Sequence, residues 1–459
     1  MPGIAGHPAR VQAAGWAKQG LGTMHSNSTV LDRAVSRSVR HLMPWLLLMY
    51  VFAYLDRTNI GFAKNALQAA TGIDEYAYAW GAGILSIGYC LVEIPSNLAM
   101  RRFGARVWMA RIMISWGLIA AAMMFVVGPR SLYALRFALG LAEGGFFPGV
   151  MYLITLWIPE SRRASVNGLF YFGAPIAFVV GGPVSGLLLD ADGILGLRGW
   201  QLMFMVDGLL AAVIGVLVFF FLDDRPATAK WLSEDERTAL SAACAAEEAG
   251  RISRGPRGVL SAIGKPYLWY FAAIYVLIQI AVNGVTYYLP SQIGALLGRQ
   301  VGFAVGLVTA IPWACALVAS FLIPRLADRI GQRRLVAAST MAACAIGAAV
   351  SATAGPALGV IALCITVAGF IAVQPIFWTF PMSYLGGAAA AGGLAFINMS
   401  TFISGIAAPQ IRVWGDVTFG AGHGLYVLAC TTLLGSAMIL SLALMRGLPA
   451  GPRAAETTP

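Results

Sequence analysis

The chain has 459 residues, 59% of them hydrophobic and only 11% charged, with a formal net charge of +11. Soluble domains carry roughly 25% charged residues, and long apolar segments recur along this whole chain, so it reads as an all-α, polytopic membrane protein. The ~10-residue alternating segments of a β-barrel do not occur, and Lys and Arg sit in short loops between apolar runs, a topology signal that argues against a nucleic-acid partner.

Residues 1–40 are polar and basic and lack the apolar core of a signal peptide. They read as an unstructured tail, in which Met24 is as good a start as Met1. Six apolar segments follow, near 42–63, 78–99, 107–127, 131–157, 165–189 and 201–222, and make a first half over 41–222. A polar stretch covers 223–265. Its Ser233-Glu234-Asp235-Glu236 has the capping-box pattern, which predicts a surface helix through about residue 249. Six more segments, near 267–293, 303–323, 335–354, 357–380, 391–411 and 424–445, make a second half over 266–446, before a tail at 447–459. The fold expected is twelve transmembrane helices in two six-helix halves. Most Lys and Arg lie in the N-terminal tail, at Arg101, Arg102, Arg106, Arg162 and Arg163, in the central loop, at Arg325, Arg329, Arg333 and Arg334, and in the C-terminal tail. The opposite side has only Lys64, Arg130, Arg198, Arg299 and Arg412. By the positive-inside rule both tails and the central loop are cytoplasmic.

Chemistry concentrates in span one. Tyr54-Leu55-Asp56-Arg57-Thr58-Asn59 puts an acid beside a base inside an apolar run, which is costly and so reads as functional. With span one ending near Ala63 and span four starting near Ser131, helix rise places Asp56, Arg57 and Arg136 at one level, roughly 8–10 Å from the outer ends. Glu143 follows Arg136 on the same helix face, roughly 10 Å deeper. Two cations and one acid then share a layer, with a second acid below. Arg57 or Arg136 offers a guanidinium fork for a carboxylate, and Asp56 and Glu143 are groups able to take up protons. Tyr54 and Tyr89 either line a cavity or pack against neighbours. Trp378, between Pro375 and Pro381, reads as a wall of the site. Asn398 in span eleven and Asn283 in span seven are ligand contacts or interhelical hydrogen bonds.

The six cysteines form no CxxC or His-containing cluster, so neither a metal site nor a disulfide framework is indicated. The four histidines, in tails or at span ends, build no catalytic group, and no GxxxxGK[ST] stretch for ATP occurs, so no enzyme and no cofactor is expected.

A repeat links the halves. Arg101-Arg102-Phe103-Gly104-Ala105-Arg106 follows span two, and Asp328-Arg329-Ile330-Gly331-Gln332-Arg333-Arg334 follows span eight. Arg102, Gly104, Asp328, Arg329 and Gly331 are the gating-loop candidates. On these residues the chain resembles the major facilitator superfamily over about residues 40 to 446. Pro324 replaces the first glycine of the second loop, and Arg101 stands where the family has an aspartate. Leu55 to Ile60, Tyr89 with Pro95-Ser96-Asn97-Leu98, Arg136 through Glu143 to Gly149, Gly199-Trp200-Gln201, Phe377-Trp378 and Asn398 are similar to the anion:cation symporter family. Its members carry tartrate, sugar acids, phthalate and, in animals, sialic acid and glutamate. The resemblance implies proton sites at Asp56 and Glu143, and substrate contacts at Arg57, Tyr89, Arg136, Trp378 and Asn398. The function expected is proton-coupled symport of a small organic anion by alternating access, by a monomer in a bacterial inner membrane. An exporter working by proton exchange and a non-transporting anion receptor are the alternatives on the same fold.

Overall fold

In lipid every backbone polar group must be satisfied within the chain, so each apolar run closes into a helix. The computed structural model describes the backbone of residues 9–254, 266–384 and 387–442, and the side chains of residues 30–247 except 164, 266–382 and 393–442. The expected loop stretch 255–265 and the tail at 447–459 lie outside the described residues. Twelve helical stretches among them are long and apolar enough to cross a membrane.

Helix α1 (Ala9–Thr71) differs from expectation at both ends. The residues expected to be an unstructured tail are helical from Ala9. The helix also runs eight residues past Ala63, because Lys64, Asn65 and Gln68 look like a loop in sequence but sit on helical faces. Helix α2 (Glu75–Phe103) is capped by Asp74, whose carboxylate accepts the Ala77 N–H at 2.7 Å. Helix α3 (Ala105–Ala122) follows. Span four is two helices, α4 (Pro129–Glu143) and α5 (Phe146–Trp157), broken at Gly144-Gly145. The helix breaks there because Gly145 takes φ 91°, which a residue with a side chain adopts only with strain. A Cβ on Gly140 would collide with the Leu85 carbonyl of α2, so the glycine face of α4 lets the two backbones touch. Span five is α6 (Glu160–Tyr171) and α7 (Gly173–Asp190), and span six is α8 (Gly199–Phe221).

The predicted capping box opens helix α9 (Glu234–Arg254). The Glu236 N–H donates to Ser233 Oγ at 3.4 Å, and the Ser233 N–H donates to Glu236 Oε2 at 3.1 Å. Arg37 donates to the same carboxylate at 2.8 Å, and Arg163 pairs with Glu247 at 2.9 Å. Trp231 stacks on His41 at 4.2 Å and Trp157 at 5.5 Å, so α9 is fastened to the first half. Burial works against the charge of Glu236, but the bonds from Ser233 and Arg37 outweigh it and hold the carboxyl below its ordinary range.

The second half holds α10 (Pro266–Thr286), α11 (Leu289–Leu297), α12 (Phe303–Ile330), α13 (Arg333–Thr353), α14 (Pro356–Tyr384), α15 (Gly387–Met399), α16 (Thr401–Phe419) and α17 (Gly424–Ser441). The halves meet where α7 lies along α12 and α2 along α16. Gly182 faces Gly306 and Gly186 faces Gly302 so closely that a Cβ on Gly182, Gly186 or Gly306 would strike the opposite backbone, and one on Gly302 would strike the Asp190 carboxylate. Asp190 accepts the Phe303 N–H at 2.8 Å and so caps α12 from the other half. These contacts lie toward the end of the bundle where α1 stops, here the charge-poor end; the other is the basic end.

Gly140→Val should lower stability by about 1–3 kcal/mol, read as thermal unfolding in detergent, because it forces α2 from α4. For Glu236, a depressed folded-state value means its stabilisation is full above the ordinary carboxyl range and fades as pH falls through the lowered one. Proteolysis of the α9 region should therefore accelerate in acid, and Glu236→Gln should remove that acid dependence.

Candidate functional site

The extra length of α1 decides the geometry. It sets Asp56 and Arg57 roughly 12 Å deeper than an end at Ala63 would. Arg57 therefore meets Glu143, correcting the expected layer in which Glu143 lay below. Arg57 Nε donates to Glu143 Oε1 at 2.9 Å, and a terminal nitrogen donates to the same oxygen at 2.5 Å. Oε2 of Glu143 is buried with no partner. The Glu143 side chain is 1% exposed and that of Arg57 34%, so the acid is the more enclosed member of the pair. Tyr54 and Tyr89 flank it, each ring centroid 5.6 Å from the guanidinium carbon. One turn beyond Arg57, Gly61 lies against the Tyr287 carbonyl and Tyr78 donates to the carbonyls of Ile60 and Tyr287, at 2.9 and 3.2 Å. These contacts join the two halves on the charge-poor side of Arg57.

Arg136 is 1% exposed and points its guanidinium at α2, donating to the carbonyls of Gly81 at 3.2 Å and Ala82 at 3.4 Å. The buried Asp56 carboxylate is attracted by Arg136 and repelled by Glu143, and its Oδ2 has no hydrogen-bond partner. Asn59 serves the scaffold. Its amide donates to Asp207 at 2.8 Å and its oxygen accepts from Ser185 at 3.1 Å, which ties α1 to α7 and α8.

The structure thus brings together Tyr54, Asp56, Arg57, Tyr89, Arg136 and Glu143. The second-half candidates keep neighbourhoods of their own. Trp378 is half-buried, edge-on to Tyr275 at 4.8 Å. The Asn398 side chain is exposed on α15, and its carbonyl accepts from Thr401 at 2.8 Å. Asn283 makes the interhelical bond, donating to Ser404 of α16 at 3.2 Å. Between the halves, next to Thr58, lies a small pocket of ≈ 10 Å³, lined by Phe62, Phe178, Thr286, Thr309 and Trp313 among others.

At the loops, Arg102 is exposed with its guanidinium carbon 5.6 Å from the Phe103 ring. Gly104 has φ 89° and lies against the Asp224 carboxylate, which accepts the Arg106 N–H at 2.8 Å. An acid from the end of span six thus occupies the loop that lacks one at Arg101. In the second loop Asp328 pairs with Arg333 at 2.8 Å, Arg329 is exposed, and Gly331 ends α12.

Two residues counted as charges of the opposite loops are buried instead: Lys64 is 8% exposed on α1 and Arg412 3% on α16. The available signal was an acid in reach of each, most plainly Asp416 four residues after Arg412, paired with it at 2.8 Å.

Twelve apolar helical stretches among the described residues, packed around buried charges, have the architecture of a multi-pass membrane transporter. The model of the Major Facilitator Superfamily matches residues 46–409, and the chain belongs to that family. It is 43% identical to the inner membrane transport protein RhmT of Escherichia coli (strain K12), over 92% of this chain and 97% of that protein. It is 38% identical to a putative tartrate transporter of Agrobacterium vitis, over 93% of this chain and 94% of that one. A solved structure of the xylose transporter XylE from E. coli, in a partially occluded inward-open conformation, shares the fold with a TM-score of 0.70 at 16% identity, covering 91% of this chain and 100% of that one.

Asn59→Leu strips the buried Asp207 of its donor and should cost about 1.5–3 kcal/mol of stability, well above Ser185→Ala, when the two variants are melted side by side.

Proposed function

We propose that this transporter moves a small organic anion together with protons by alternating access, and that the basic end, with the tails and central loop, faces the cytoplasm of a bacterial cell across its inner membrane. The observation that carries the reading is the Arg57–Glu143 pair. One guanidinium spends two donors on a single carboxylate oxygen, while the Arg57 side chain as a whole stays 34% exposed.

A buried charge left without a partner is strongly disfavoured. While Glu143 is ionised it holds Arg57. A proton on Glu143 releases the guanidinium, and a carboxylate entering the cavity takes the vacated place as a bidentate ligand. Asp56, set between Arg136 and Glu143, is the second proton carrier. Tyr54 and Tyr89 bracket the carboxylate from the first half. Trp378, Asn398 and Asn283, which stand apart from this cluster in the structure, are the second-half contacts the substrate meets as the halves close around it. Arg136 fixes the potential of the site from its place on the α2 carbonyls. The loops of Arg102 and Gly104, and of Asp328, Arg329 and Gly331, brace the basic end as it opens and shuts. Likeness to a protein named as a putative tartrate transporter supports a carboxylate cargo; tartrate, a sugar acid and an aromatic acid all suit the pair. One chain suffices for this cycle.

A thermal-shift screen of small mono- and dicarboxylates should find a stabilising ligand, and uptake of that ligand into proteoliposomes tests the roles. Glu143→Gln should abolish accumulation driven by a pH gradient while leaving exchange of the anion down its own gradient. Arg57→Lys, which lacks the fork, should weaken anion binding by about tenfold or more. Proton-driven accumulation by Glu143→Gln with an unchanged pH profile would sink the coupling scheme.

A further inference from the structure

The buried charges at the charge-poor end play no part in the scheme above. Lys64 belongs to the first half and Arg412 to the second, and both press on the ring of Tyr288. The Lys64 ammonium lies 5.3 Å from the ring centroid and the Arg412 guanidinium carbon 5.6 Å. Tyr288 is itself 3% exposed, and its hydroxyl has no hydrogen-bond partner, so the ring and not the hydroxyl makes the contact. Tyr78 of α2 packs edge-on against the same ring at 5.7 Å.

Each cation also has an acid, and each acid is in the cation's own half. Lys64 pairs with Glu75 at 2.8 Å. Arg412 pairs with Asp416 at 2.8 Å and donates to Gln292, also at 2.8 Å. Parting the halves therefore leaves both ion pairs whole. What is lost is the contact of Lys64 with a neutral ring, the edge contact of Tyr78 with that ring, the Tyr78 hydrogen bond to the Tyr287 carbonyl, and the packing and Asp190 cap where α7 meets α12; Lys64 on Tyr288 is the one of these in which a buried charge changes its surroundings. A desolvated cation on an aromatic face is held firmly enough to favour closure, yet far less tightly than a buried ion pair, so release is cheap.

We propose that Lys64 and Tyr288 form the releasable clasp of the charge-poor end: the ring holds the ammonium while that end is shut, and the two separate when it opens. This rests on the alternating-access reading but on none of its substrate or proton roles.

The test is a distance measurement by pulsed electron paramagnetic resonance in liposomes, with spin labels at the exposed positions Leu195 and Phe419, one per half at the charge-poor end. Neither substrate nor a pH gradient is needed. Tyr288→Leu and Lys64→Met should each raise the open-to-closed ratio about five- to thirtyfold. Tyr288→Phe and Lys64→Arg should leave it near that of the unaltered protein. The double variant Lys64→Met/Tyr288→Leu should open no further than Tyr288→Leu alone, because the contact they share is lost only once. The clasp is overturned if Tyr288→Phe opens the end as far as Tyr288→Leu, or if the two single effects multiply. Two populations whose ratio no variant moves would refute the clasp alone. A single population throughout would refute both the clasp and alternating access. Melting each variant in detergent separates opening from misfolding, and Lys64→Arg carries the test if Lys64→Met proves unstable.

Discussion

A charge inside lipid persists only where another group stands in for water, and the contact of Arg57 with Glu143 is how this chain meets that requirement at its centre. Glu143 ends α4, where the unpaired carbonyls of a helix C-terminus make a carboxylate unwelcome. Arg57 offsets that. Removing either partner would leave the other stranded, at a cost of about 3–5 kcal/mol. The two are therefore one unit, and whatever neutralises Glu143 must also find Arg57 a new counter-charge. Arg136 solves the same problem differently, resting on the carbonyls of Gly81 and Ala82, so its place does not depend on any proton.

Around this centre the scaffold is tuned for close approach. The break at Gly144-Gly145 follows directly on Glu143, and the glycine face before it lets α4 ride on the backbone of α2. The Ser185–Asn59–Asp207 network pins the stretch of α1 that carries Asp56 and Arg57 to α7 and α8. Rotation of α1 about its axis would break that network, so the direction in which Arg57 points is fixed by polar bonds two residues away.

Much of this was legible in the sequence. Span number and the capping box at Ser233 follow from simple constraints: segment length, backbone satisfaction and the reach of a serine hydroxyl. Asp56, Arg57, Arg136 and Glu143 stood out because charge in an apolar run is rare. Depth was harder to read. Lys64, Asn65 and Gln68 resemble a loop, yet α1 continues through them, with Lys64 buried on Tyr288 and Asn65 exposed. That one misplaced end put Arg57 beside Arg136 and away from its true partner. Contacts such as Asp224 with Arg106 are set by tertiary packing across a whole half, and nothing local announces them.

The facing glycines of α7 and α12 carry a mechanical consequence. At Gly182 and Gly306 backbone rests on backbone, with no side chain between. Such a bearing has no rotamers to re-sort as the angle across it changes, so tilting costs little there, whereas sliding would drive carbonyls into one another. The pair is suited to act as a fulcrum, and the lengths of α7 and α12 on either side of it set how a small rotation divides between the two mouths.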